Sequence, residues 1–126
     1  MKNVSALTLF VEDVPRAKAF YENVFGRPLV FEDDVSAAFK FENTIVNLLA
    51  APAAGELIEP GTVAPPDAGA RVVLTVDVEN VDATCAELAK HGVELLNGPI
   101  DREWGIRTAS FRDPDCHIWE IAHPLS

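Results

Sequence analysis

Positive charge is scarce in this chain: ten Lys and Arg stand against twenty Asp and Glu in 126 residues, a formal net charge of −10. That balance repels nucleic acid and anionic membrane, argues against both as partners, and mildly favours cationic ligands. Long apolar runs are also lacking. None approaches the roughly 20 residues that cross a bilayer. The run at residues 6–11, which follows Lys2 in the manner of a secretory leader, is stopped by Glu12 and Asp13 before it reaches full length. The cytoplasm is the expected location. Cysteine is limited to Cys85 and Cys116, without C-x-x-C spacing, so reduced thiols with no structural task are expected, and a reactive Cys116 is the alternative. The sequence shows no Ser-His-Asp or Cys-His arrangement, no phosphate-cradling glycine loop and no basic stripe, which disfavours hydrolase, nucleotide and nucleic-acid functions.

What is present is enough apolar material for a core, 48% of the residues, and a pattern that occurs twice. Residues 5–11 read as a strand, followed by Glu12-Asp13-Val14-Pro15, where Asp13 caps a helix and Pro15 sits in its first turn. The helix carries Val14, Ala17, Phe20, Tyr21, Val24 and Phe25 at spacings of three and four, and Gly26 ends it. Strands are expected at residues 28–32, 37–42 and 44–50. The second half repeats the plan: a strand at 71–76, a polar Asp77-Val78-Glu79-Asn80 start, a helix bearing Val81, Cys85, Leu88 and Ala89 that His91-Gly92 closes, and strands at 93–96, 106–112 and 117–122.

Each half is therefore βαβββ, giving a single α+β domain over residues 1–126 with module one at residues 1–51 and module two at 71–126. Between them residues 52–70 hold four prolines and three glycines, with Glu56-Leu57-Ile58-Glu59 as the sole apolar nucleus, and read as a linker and surface loop. A connection of that length leaves the modules free to pair within one chain or to exchange between two.

Particular residues carry a family resemblance. Leu9-Phe10-Val11-Glu12-Asp13-Val14 with Ala17, Phe20, Tyr21 and Phe25-Gly26 opens the chain, while Trp104-Gly105-Ile106-Arg107 and the Phe-x-Asp-Pro-Asp turn leading into Ile118-Trp119-Glu120 close it. Together they resemble the glyoxalase/bleomycin-resistance/dioxygenase, or vicinal oxygen chelate, superfamily over nearly the whole chain outside the linker. The resemblance implies two βαβββ modules paired into an incomplete barrel around a cavity, often in a homodimer, and a small-molecule ligand. It does not imply one activity, since the family spans isomerases, dioxygenases and non-catalytic antibiotic binders.

Enzymes of that family hold a divalent metal with His, Glu or Gln from the first and last strands of each module. Laying the halves on one another, with residues 7–11 against 72–76, assigns those positions to Ala6, Asn47, Arg71 and Glu120. Ala6 offers no donor, Asn47 a weak one, and Arg71 a fixed positive charge, so one carboxylate remains and no metal or other cofactor is expected. Arg71 and Glu120 are instead expected to bridge each other, or Arg71 to receive an anionic group.

Four further residues are candidates for ligand contact. Trp104 can stack on a flat ligand and Arg107 can pair with its acid, the alternative for Arg107 being a bridge to Asp101 or Asp113. Phe39 and Phe41 alternate with Ala38 and Lys40, and either line a cavity or fill a core. His91 is expected to cap its helix, His123 to lie in the tail, and His117 to open the last strand on the face opposite Glu120. Cys116 stands where the turn of the resembled family has glycine, so the turn either carries strain there or takes another shape.

Overall fold

Asp13 starts the first helix by a local exchange of partners. Its backbone is extended and its carboxylate accepts the N–H of Arg16 at 3.0 Å, satisfying a donor that the first turn leaves open. Helix α1 (Val14–Phe25) then runs to Gly26, which closes it in the left-handed region at φ 61°. The computed structural model describes residues 1–126, which divide into two units, Met1–Ala68 and Gly69–Ser126.

In the first unit, β1 (Ala6–Val11), β2 (Leu29–Glu32), β3 (Ser36–Lys40) and β4 (Ile45–Ala50) form one sheet in the order β1-β4-β3-β2. β1 and β4 run parallel and the other neighbours antiparallel. The period of two sends Leu9, Val11, Phe39, Val46 and Leu48 to the side where α1 packs, and all five are buried. Tyr21 of α1 is fully buried among them, its ring stacked on Phe25 at 5.3 Å and on Phe39 at 6.1 Å between centroids. Burying an aromatic side chain of this size contributes about 2–3 kcal/mol.

The segment expected to be loop begins with a helix, α2 (Ala51–Ile58), which packs against β4 and β1 with Ala54 fully buried. Pro52 lies in its first turn, where a missing N–H costs nothing, and the alanines around it are strong helix formers. A proline density that reads as loop therefore marks a helix start. The residues up to Ala68 belong with the first unit.

The second unit repeats the plan with β5 (Val73–Asp77), α3 (Val81–Lys90), β6 (Leu95–Asp101), β7 (Ile106–Arg112) and β8 (Ile118–Pro124), in the order β5-β8-β7-β6. Asn80 caps α3 by accepting from Ala83 N at 3.0 Å, as Asp13 caps α1. Val81 and Leu88 of the helix are buried, as are Ala109, Phe111, Trp119 and Ile121 of the sheet. β6 extends past the expected end of its strand because the ladder shifts register between Asn97 and Ile100, accommodating Gly98 and Pro99. Gly98, at φ 93°, lies so close to β7 that an added Cβ would stand 2.5 Å from the Thr108 carbonyl oxygen.

Candidate functional site

α1 in the first unit and α3 in the second each cover one face of their sheet, and strand register fixes which side chains share the opposite face. In the first, Thr8 and Ala38 both pair with Asn47, so these three lie together, away from Phe39 and Val46. In the second, Thr75 and Ser110 both pair with Glu120, away from Leu74 and Trp119. The Thr75 hydroxyl donates to Glu120 Oε1 at 3.0 Å.

The two caps correct the alignment of the halves. Val11-Glu12-Asp13-Val14 matches Val78-Glu79-Asn80-Val81, both caps preceding their helices directly. Laying Asp13 on Asn80 puts Thr8 on Thr75 and Ala6 on Val73, two residues beyond the expected Arg71. A slip of two preserves the face, which is why parity alone did not expose it. The repeated Val-Glu-polar-Val was the signal that finds the right offset.

The occupants of the four positions are thus Ala6 and Asn47 in the first unit and Val73 and Glu120 in the second. Two are aliphatic, one is an amide and one a carboxylate. This set does not fit the divalent metal that the resemblance implies, which takes several imidazole or carboxylate donors. No group of three or more His, Cys, Asp or Glu side chains is arranged to hold an ion.

Arg71 precedes β5 in a bend, is exposed, and forms no ion pair with Glu120. The expected bridge is absent because Arg71 lies before the strand that carries Thr75. Arg107 lies on the helix side of its sheet. Its Nε and Nη2 donate to both oxygens of Asp82 on α3 at 2.8 and 2.9 Å, and Nη1 to Asp101 at 2.7 Å. The guanidinium's hydrogen bonds hold the Asp82 carboxyl below its usual range, and the two carboxylates in return raise Arg107. Both charges of the partners are spent on pinning α3 to β7 and β6. Phe39 and Phe41 also face the helix, Phe39 against Tyr21 and Phe41 against Phe25 at 5.6 Å. Phe39 fills the core and is closed to a ligand from that side.

Trp104 sits at the tip of the β6–β7 hairpin, 70% exposed. The Arg102 guanidinium carbon stands 6.0 Å from its ring centroid. Arg102, which no sequence motif marks, donates from Nε to Thr108 Oγ1 at 3.0 Å and from Nη2 to Asn97 Oδ1 at 3.3 Å. Register places Ile100 opposite Thr108 and Asn97 opposite Ser110, so these acceptors lie on the Glu120 face.

The Asp-Pro-Asp turn is organised by Asp113, buried, whose Oδ1 accepts from Asp115 N and His117 N, both at 2.9 Å, and whose Oδ2 meets His117 Nδ1 at 2.7 Å. Burial alone would lower the His117 pKa, but the Asp113 hydrogen bond and the charges of Asp113 and Asp115 together outweigh it and raise it. Cys116 holds φ 68°, so the turn keeps the left-handed shape at the cost of a strained Cβ. His123 lies within β8, not in a tail, and its Nδ1 accepts the N–H of Val81 at 2.8 Å. Its ring proton is therefore on Nε2. His91 closes α3 as expected. Both cysteines are free thiols, and burial pushes Cys85 up.

The model of the glyoxalase/bleomycin resistance protein/dioxygenase superfamily matches residues 3–121. A curated relative, the uncharacterized protein YraH of Bacillus subtilis (strain 168), is 33% identical over 119 residues, covering 91% of this chain and 93% of the relative. Among solved structures, a glyoxalase/bleomycin resistance protein/dioxygenase from Nocardioides has a TM-score of 0.88 at 23% identity, with 100% of this chain and 85% of that one covered. A lactoylglutathione lyase from Agrobacterium tumefaciens has a TM-score of 0.77 at 16% identity, with 97% and 93% covered. At those identities the structures speak to the fold, which is glyoxalase-like. The match over residues 3–121 and the likeness to the Bacillus protein carry the family: the chain belongs to the glyoxalase/bleomycin resistance protein/dioxygenase superfamily.

Proposed function

We propose that this protein binds a small organic molecule without a metal ion, sequestering its ligand, an antibiotic among the candidates, as a cytoplasmic homodimer. The observation that carries the reading is the donor chemistry of the four positions: Ala6 and Val73 offer no donor, Asn47 a weak one, and Glu120 is the one strong donor left. Sequestration requires complementary surface and no Lewis acid. The homodimer is supported by the family resemblance, and no helix is long and apolar enough to cross a membrane.

A second reading has its own support. Glu120 is half-buried and only Oε1 is engaged, so Oε2 is available as a general base or as a residual metal ligand in a lyase, isomerase or dioxygenase. A thermal-shift screen of cationic antibiotics and aromatic metabolites in EDTA-containing buffer tests the first reading. A compound well above its Kd should raise Tm by several degrees with or without EDTA. Stabilisation that appears only on adding zinc, nickel or manganese overturns the metal-independent account, and turnover of a stabilising compound favours the second.

A further inference from the structure

The helix-free face of the second sheet contains a cation with no carboxylate within ion-pair distance. Arg102 is half-buried, yet both of its hydrogen-bond partners, Thr108 Oγ1 and Asn97 Oδ1, are uncharged. This occurs in a chain with twice as many acids as bases. Arg107, five residues away in sequence, takes two carboxylates. Partial burial of a guanidinium without a counter-charge is unfavourable unless something else supplies one.

The geometry states which part of Arg102 is available. Nε and Nη2 form the side edge of the guanidinium fork, and that edge is occupied by the two neutral acceptors. The end edge, Nη1 with the second N–H of Nη2, remains, and it matches the two oxygens of a carboxylate. Thr108, only 1% exposed, is a rigid anchor, so the fork is oriented before a ligand arrives. Trp104 lies alongside with its ring in solvent. A large exposed aromatic beside an oriented guanidinium offers a flat apolar surface next to an anion receiver.

We propose that Arg102 and Trp104 form a binding site for aromatic carboxylates, the acid on the end edge of Arg102 and the ring on Trp104. This rests on the small-molecule reading above and names a ligand class for it. The net charge of −10 sets the long-range field, which favours cations but is screened beyond about 8–10 Å, whereas Arg102 acts on a ligand at contact distance. Glu120 repels an acid placed over Ser110 and so favours the Arg102 end of the face.

The test is a titration of the full chain with benzoate, followed by the NMR signals of the Trp104 indole N–H and the Arg102 Nε–H, with acetate and benzamide as comparison probes. Saturable shifts at both groups are expected, with benzoate at least about tenfold tighter than benzamide, which lacks the charge. Arg102→Gln should weaken benzoate by about tenfold or more, and Arg102→Lys, which keeps charge and loses the fork, should recover only part. Trp104→Ala should erase the preference for benzoate over acetate. Melting curves of each variant report whether the fold is kept, and Arg102→Lys serves where Arg102→Gln does not fold. Benzoate binding that is equal in Arg102→Lys and in wild type, or absent from wild type, overturns the proposal. If wild type ignores benzoate but binds a neutral or cationic compound in EDTA, the small-molecule reading stands and this site falls.

Discussion

The Thr75 hydroxyl donates to Glu120 Oε1 across two parallel strands at 3.0 Å, and the same register in the first unit pairs Thr8 with Asn47. The two halves therefore kept their backbone correspondence while their side chains diverged. Where a metal-binding relative has a ligand in its last strand, this chain keeps a carboxylate, with Oε1 hydrogen-bonded to Thr75 and Oε2 open. Its first-strand counterparts are Ala6 and Val73, which donate nothing.

Arg107 is a structural clamp, so Arg107→Met should lower Tm while leaving benzoate binding intact. The bidentate bond to Asp82 and the bond to Asp101 join α3 to β7 and β6. Both carboxylates are exposed, so salt screens the pairs and the difference in Tm from wild type should narrow in 1 M sodium chloride. An unchanged Tm, or lost benzoate binding, would contradict this division of labour between Arg107 and Arg102.

Cys116→Gly should stabilise the protein. The residue is exposed at φ 68°, where a Cβ is strained, and glycine relieves that strain while adding freedom to the unfolded chain. The balance is a gain of roughly 0.5–1 kcal/mol, read as a rise in Tm of about 2–4 °C. A fall in Tm would show that the thiol makes a contribution the turn geometry does not account for.

His117 gives stability a definite pH dependence. Its folded pKa lies above the ordinary value, because the Asp113 bond and the neighbouring carboxylates outweigh burial. Stability from the charged pair is therefore fully present below the unfolded histidine pKa, about 6.5, and is lost as pH rises through the higher folded value. The Tm of wild type minus that of His117→Gln, followed between pH 5.5 and 8.5, should fall with rising pH. The difference isolates this one residue, and one that stays flat or grows refutes the pairing.

Much of this arrangement was legible in the sequence, and the failures have physical causes. Asp13, Asn80 and Gly26 mark their helix ends because the chemistry of capping is local. β7 falls where alternation places it, since period two needs no tertiary information. α2 was hidden because proline has two meanings, loop breaker and first-turn residue, and only the packing of Ala54 decides between them. The face of Asn47 and Glu120 was readable, but Arg71 was misplaced by two residues because parity is blind to even slips. Phe39 and Phe41 read equally as cavity or core until α1 is docked on their sheet. Arg102 lay beyond reach, since its acceptors are set by a hairpin whose register shifts at a bulge.

That bulge supplies another prediction. Gly98→Ala should destabilise by about 3 kcal/mol, combining a left-handed alanine with a clash against the β7 backbone. A Cβ there would stand 2.5 Å from Thr108 O and 2.7 Å from Ala109 Cα, neither of which can move without the strand. Urea denaturation measures the loss directly, and a variant as stable as wild type would mean the hairpin does not make this close approach.

The most direct test of the central claim is the metal content and metal affinity of the purified protein. After dialysis against EDTA, titration with zinc, nickel and manganese followed by calorimetry should give no stoichiometric binding at micromolar concentrations, while ligand-induced shifts in Tm persist in the same metal-free buffer. One tightly held equivalent per chain that disappears in Glu120→Gln would contradict the account.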